Sequence, residues 1–461
     1  MLFVFPSCSN DEIKPIGSDV RLDTRPTVDQ GGEKDLNKDG SQGAKDLHLA
    51  SAESCGECHK AHYSDWKGSM HAYATTDPIY LAMLERGIND TQGKIDQFCI
   101  QCHAPIASKE GMTPIESLGD GRYGAKFDQS NPLVSGGVVC VTCHAMEKAE
   151  ATLNAKFELS KTTYYAASAN PRGQEEHPVE TSTLLPSSVM CGTCHNVVNP
   201  KGALIENTFS EWYASPYNDG DADDKTCQDC HMPTYRGEIV DGVTTTIHKH
   251  QFVGVDVALV DFPQKVEQRR LVEELLGSAV ELEIKRTNDQ GDEIAIRVSL
   301  KNVNNGHALP SGSTSDRQVW VHLKVFNQAD EIVFESGALD AQGDLKDRVE
   351  GHSLDPAGDP ELLVFGSFLF DDNGEHVNFP WQAARSQDFL LQPGQVGWRE
   401  YEISKTLVGG QKIRVEAAVN YRTFPPFIVR QLEEEGLLKI KLSDKIPIIK
   451  MAEKTITLTI P

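Results

Sequence analysis

Long apolar runs are missing from this chain of 461 residues. No stretch approaches the 18 or more consecutive apolar residues that a membrane-crossing helix needs. The mean hydropathy is −0.39, so a multispan membrane protein is excluded. Positive charge is scarce: 44 Lys and Arg stand against 68 Asp and Glu, a formal net charge of −24. Such a surface repels phosphate backbones, which excludes nucleic acid as a main partner and favours basic or neutral ones. Cysteine is absent beyond residue 230. At this length one compact core is not expected, and two or three domains are.

The cysteines that are present carry most of the information. Ten of the 11 fall into five Cys-x-x-Cys pairs, each followed by histidine: Cys55/Cys58-His59, Cys99/Cys102-His103, Cys140/Cys143-His144, Cys191/Cys194-His195 and Cys227/Cys230-His231. Histidine is 15 of 461 residues, so five coincidences do not arise by chance. Cys-x-x-Cys-His is the attachment motif of c-type haem. Two thiols add to the vinyl groups on one porphyrin edge, and the adjacent imidazole swings under the ring to the iron. Two intervening residues make about one helical turn, which sets both sulfurs on one side. Zinc knuckles need no histidine after each pair. Thioredoxin-like motifs need a βαβ setting that is absent, and disulfides between such close cysteines are strained. Five covalently attached haem c groups are therefore expected.

The motifs begin 44, 41, 51 and 36 residues apart. That is too little chain to wrap each porphyrin in its own protein core, so the haems should pack together and pass electrons among themselves. Thioether attachment takes place outside the bacterial cytoplasm, which implies export to the periplasm or cell surface. Residues 1–8 read as the remnant of a lipoprotein signal ending at Cys8, which would carry a lipid anchor to the membrane. Residues 9–50, rich in Asp, Lys, Gly, Gln and Ser, read as a disordered tether. Residues 51–260 form the expected cytochrome domain, α-helical and irregular, with short helices. Pro263–Leu276 has a helical period and supplies a linker over 261–278. Period-two stretches follow at Val280–Lys285, Ile294–Val303, Val319–Phe326, Trp398–Ile403, Ile413–Tyr421 and Thr455–Ile460. They predict an all-β domain over 279–461, an Ig-like sandwich with a structural or docking role.

Each iron has one position left. Ten histidines lie outside the motifs, enough for a second imidazole on all five, which gives low-spin irons suited to electron transfer. His71 lies 12 residues beyond His59, about 18 Å along a helix, so it should serve a neighbouring haem. His62, three residues beyond His59, shares its helical face and is expected beside the haem and not on it. His248 and His250 lie in a β-like stretch, Thr244–Phe252, and should point the same way. His177 precedes a proline in a loop that can reach a haem face. His307 is presented by Asn305-Gly306-His307-Ala308-Leu309-Pro310 between two strands. The expected second ligands are His71, His177, His248, His250 and His307; His48, His322, His352 and His376 rank low.

Cys58-His59-Lys60-Ala61-His62-Tyr63-Ser64-Asp65-Trp66-Lys67-Gly68-Ser69-Met70-His71-Ala72 resembles the cytochrome c-554 family of multihaem cytochromes, which shares haem packing with hydroxylamine oxidoreductase and pentahaem nitrite reductase. Phe98–Pro105, Cys227–Pro233 and His250-Gln251-Phe252 fit the same pattern, and Asn305–Gly312 resembles a loop of larger members with a C-terminal β domain. The resemblance implies parallel and perpendicular haem pairs, and distal histidines at His71, His250 and His307. All five motifs keep histidine where pentahaem nitrite reductase has one lysine. No tyrosine matches the one that crosslinks the catalytic haem of hydroxylamine oxidoreductase. The expectation is thus an exported electron carrier working between redox protein partners. Two alternatives stand beside it: an oxidoreductase with one open haem that reduces nitrite, hydroxylamine or peroxide, and a homo-oligomer or filament subunit.

Overall fold

The computed structural model describes residues 46–168, 176–288, 291–346 and 358–460. Cys8 and nearly all of the expected tether lie outside the described residues. The described part of that tether is docked: Leu47–Leu49 forms a 3-10 turn, the Leu47 N–H donates to the Lys161 carbonyl, and His48 is 1% exposed with Nε2 2.9 Å from Glu110. No described helix is long and apolar enough to cross a membrane.

Each Cys-x-x-Cys-His motif folds as one helical turn. The His59 N–H donates to the Cys55 carbonyl (2.9 Å), His103 to Cys99 (3.2 Å) and His195 to Cys191 (3.0 Å). The other two motifs are the helices Cys140–His144 and Cys227–His231. Small polar residues start three of these turns. Ser51 and Ser187 accept backbone N–H groups with their side chains, and Thr226 makes a reciprocal capping box with Asp229. Short antiparallel strand pairs sit between the motifs, among them Val197–Val198 with Leu204–Glu206 and Thr234–Val240 with Val243–His248.

One helix of this half is longer than the sequence suggested. Pro78–Asp90 has 13 residues, with Asp77 as N-cap and proline in its first turn. Ile79, Tyr80, Leu84 and Ile88 form its buried face, and they pack on Phe427, Ile428, Val429 and Leu432 of the helix Pro426–Glu434. Trp381 joins the same cluster; its ring closes over Gly87 and its Nε1 donates to Asp90 at 2.9 Å. Residues 46–460 pack as one compact unit. The division near residue 260 is one of sequence character, and the core runs across it.

The linker helix spans Lys265–Ser278. Beyond it the chain is β-rich. A three-stranded antiparallel sheet (Val280–Asn288, Glu293–Asn302, Val396–Ser404) and a seven-stranded one built on Gln318–Phe326, Lys412–Arg422 and Ile449–Thr459 share one apolar core. Ile294, Ile296, Val298 and Leu300 supply its first face, and Val319, Val321, Leu323 and Val325 its second. Both sets follow the period of two that marks one buried face of a strand. Val364–Phe370 and Arg385–Phe389 add a pair that alternation did not mark. The first is buried along nearly its whole length, so its apolar residues run on without alternating.

Candidate haem-binding centre

Four of the five motif histidines face a histidine from elsewhere in the chain. The His59 and His177 rings are 6.3 Å apart between centroids, His71 and His195 6.5 Å, His144 and His250 6.3 Å, and His231 and His307 6.2 Å. A metal–nitrogen bond of about 2 Å on each side, plus about 1 Å from each nitrogen to its ring centre, requires roughly 6 Å between two imidazoles on one iron. His59 also lies 6.1 Å from His62, but those two are neighbours three residues apart along one helical turn. His103 faces no second imidazole among the described residues. Its ring stacks instead on Tyr80 at 3.9 Å and 9°.

The protonation chemistry suits metal binding. Nδ1 donates to a backbone carbonyl in His59 (Ile239, 2.9 Å), His103 (Ala74, 3.2 Å), His144 (Tyr165, 2.8 Å) and His231 (Val253, 2.6 Å). A carbonyl only accepts, so each Nδ1 carries the proton and each Nε2 keeps a free lone pair. His250 and His307 do the same through His248 (2.9 Å) and Ala308 (3.0 Å). Burial holds His71 and His250 down to about 3 and His307 to about 4, and it also lowers His103, His144 and His231. These rings are neutral at pH 7, the state a ligand requires. His195 is the exception. Burial is the largest influence and pulls its pKa down, but the Nδ1 hydrogen bond to Glu206 (3.0 Å), the Glu206 charge and the Cys194 and Cys227 thiols together lift it to about 9.

Space is left for the group. The His195 ring has 51% of its side-chain surface accessible. Thiols from different motifs meet in pairs: Cys55 lies against Cys140, Cys102 against Cys194, and Cys191 against Cys227. Burial raises the Cys99 thiol to about 12, and burial together with the Cys194 thiol raises Cys143 to about 12. Cys58 and Cys230 are exposed. Among the described residues, the group of three or more His, Cys, Asp or Glu close enough to hold one metal ion is Asp219, Asp221 and Asp224. The cysteines and histidines therefore do not converge as a zinc site would. The donor set fits haem c at all five motifs, with His195 giving up its Nε2 proton on binding.

The distal residues are held by identifiable contacts. His71 sits in the turn Met70–Tyr73, capped by Ser69; its carbonyl accepts from Val138 N–H at 3.0 Å, and Phe252 covers its ring at 4.5 Å. His250 is placed by its own N–H donating to Asp65 (3.2 Å). The His307 carbonyl accepts from Asn302 (3.1 Å), and the next N–H donates to Glu211 (3.1 Å). His177 packs edge-on against Tyr164 at 5.0 Å. The strand expected to carry both His248 and His250 ends at His248. His248 therefore diverges from His250: its Nδ1 donates to the Met232 carbonyl at 2.6 Å, and its ring faces no motif histidine among the described residues. His62 lies beside the rings of His59 and His250, and burial lowers it to about 4. Glu206 and Tyr80 were not singled out from the sequence. Glu206 ends a short apolar strand 11 residues beyond His195, and no motif marks it.

Residues 54–145 match the family model of cytochrome c554 and c-prime. The fold is similar to the crystal structure of a penta-heme cytochrome c552 from Thermochromatium tepidum, with a TM-score of 0.64 and 23% identity, over 90% of this chain and 100% of that one. No curated protein matches. With the five motifs, the family match over residues 54–145 and the shared fold support a multihaem c-type cytochrome.

Proposed function

We propose that the protein is an exported pentahaem cytochrome that conducts electrons along haems bound at its five motifs, four with two axial histidines and one with a single one. The carrying observation is the set of four imidazole pairs 6.2–6.5 Å apart, against the lone ring of His103. The axial pairs are His59 with His177, His195 with His71, His144 with His250, and His231 with His307. Haem supplies reversible one-electron chemistry when bound; the chain fixes the tautomer of the five motif imidazoles and of His250 and His307.

Thiol contacts support an order. Thioether sulfurs sit at the porphyrin rim, so touching thiols bring two rims together. The pairs Cys55–Cys140, Cys102–Cys194 and Cys191–Cys227 join motif 1 to 3, 2 to 4 and 4 to 5. Cys102, Cys143, Cys191 and Cys194 gather around Met146, Phe157 and Met190, which brings motif 3 to motif 4. The route runs 1–3–4–5, with motif 2 as a branch from motif 4. Exposed Cys58 and Cys230 support a route whose two ends lie at the surface.

The single-histidine haem supports a second reading, an oxidoreductase that reduces a small nitrogen compound or peroxide at the motif carrying His103. Quantitative EPR with cyanide titration tests both. One high-spin iron in five, binding one cyanide per chain, is expected, and five low-spin irons that ignore cyanide contradict the assignment at His103. Turnover of nitrite, hydroxylamine or peroxide by the reduced protein separates enzyme from carrier.

The acidic surface favours a basic redox partner, with rates that fall as salt rises. Thioether chemistry supports export, and a lipid anchor at Cys8 and self-association belong to the same reading. The two sheets sharing one core support the Ig-like sandwich. A monomer in analytical ultracentrifugation removes the filament role.

A further inference from the structure

We infer that Glu206 sets the potential of the haem held by His195, making it the lowest of the five and the energetic step at the branch of the route. This rests on the proposed haem ligation. The comparison is internal to one molecule. Four motif histidines donate Nδ1–H to a neutral backbone carbonyl, at Ile239, Ala74, Tyr165 and Val253. The fifth, His195, donates to the Glu206 carboxylate at 3.0 Å.

The hairpin of Val197–Val198 and Leu204–Glu206 makes that contact. Val197 pairs with Glu206 across it, which returns the carboxylate to a histidine two residues before the strand. Glu206 is largely buried, with 19% of its side chain exposed against 51% for His195. An anionic acceptor draws the Nδ1 proton and enriches the ring, making Nε2 a stronger donor. A stronger donor stabilises ferric over ferrous iron and lowers the potential. No bond is made or broken: one electron enters as iron passes from ferric to ferrous, and the proton stays on Nδ1. Both Cys194 and Cys191 touch thiols of other motifs, so the affected haem lies where the routes to motifs 2 and 5 divide. Glu206 acts through His195 and is a positioning and tuning residue.

The test is an EPR-monitored redox titration of the native protein, Glu206→Gln and Glu206→Asp, with haem number from intact mass. Glutamine keeps an acceptor and removes the charge. The expected result is five haems in each, the lowest of five steps moving to more positive potential in Glu206→Gln, and altered g values for one low-spin iron. The other four steps stay in place, and Glu206→Asp lies nearer the native protein. Five haems with all five steps unmoved, or all five moving together, overturn the role of Glu206. A native protein without five attached haems overturns the ligation itself, and the mass distinguishes that outcome.

Discussion

Replacing His71 with glycine removes one imidazole from a facing pair and leaves its partner His195 alone. On the proposed ligation, four facing pairs and one unpaired ring amount to one single-histidine haem in five for the native protein. The substitution leaves three pairs, so that share doubles to two in five, and the cyanide bound per chain doubles with it. His71 is half-buried, and its turn is anchored from outside the ring by Ser69 and Val138. The backbone should hold, and all five haems should stay attached through their thiols. The vacated space is the size of an imidazole, so added imidazole should restore the low-spin signal, which a general loss of folding would not allow. Integrated high-spin EPR intensity and cyanide stoichiometry read the change. A variant with five haems and the native high-spin fraction refutes the assignment of His71 to His195.

Three further outcomes follow from particular contacts. Burial raises Asp77 to about 7 while its unfolded value is near 4. The folded state then binds the extra proton, so this stabilising contribution is full below about pH 4 and is lost as pH rises through 7. Asp77→Asn keeps the cap on Ile79 N–H and should flatten the fall in unfolding free energy between pH 4 and 7, measured by denaturant titration; an unchanged slope contradicts it. Trp381→Ala empties the seam between the helix Pro78–Asp90 and the C-terminal part and should cost about 3–5 kcal/mol, whereas a loss under about 1 kcal/mol would show the seam to be unimportant. Gly137 has φ +67°, and a Cβ there would stand 2.4 Å from the His71 carbonyl. Gly137→Ala should therefore lower the melting temperature and raise the high-spin fraction together, and a native spectrum would count against the coupling.

Local chemistry was legible in the sequence, and tertiary pairing was not. The Cys-x-x-Cys-His turns announce themselves because the chemistry fixes the spacing. The strands Glu293–Asn302 and Gln318–Phe326 are visible because one face is buried and the period is two. Val364–Phe370, buried on both faces, lacks that period. The seam between the Pro78–Asp90 helix and residues 379–442 involves positions some 300 residues apart, and no local pattern encodes it. His307 could be picked out because Gly and Pro stiffen its loop. Its mate His231 and the pairing of His177 with His59 arise only when the loops close over the motifs. The divergence of His248 from His250 turns on where the strand Val243–His248 ends, a boundary that residue preferences place poorly.

The central claim is that five porphyrins are bound through thioethers and that one of their irons lacks a second histidine. Intact mass of the mature protein, combined with high-spin EPR integration on the same sample, tests it most directly. The account predicts the polypeptide plus five haem masses and one high-spin iron in five. Fewer haems, bound zinc, or five low-spin irons would contradict it.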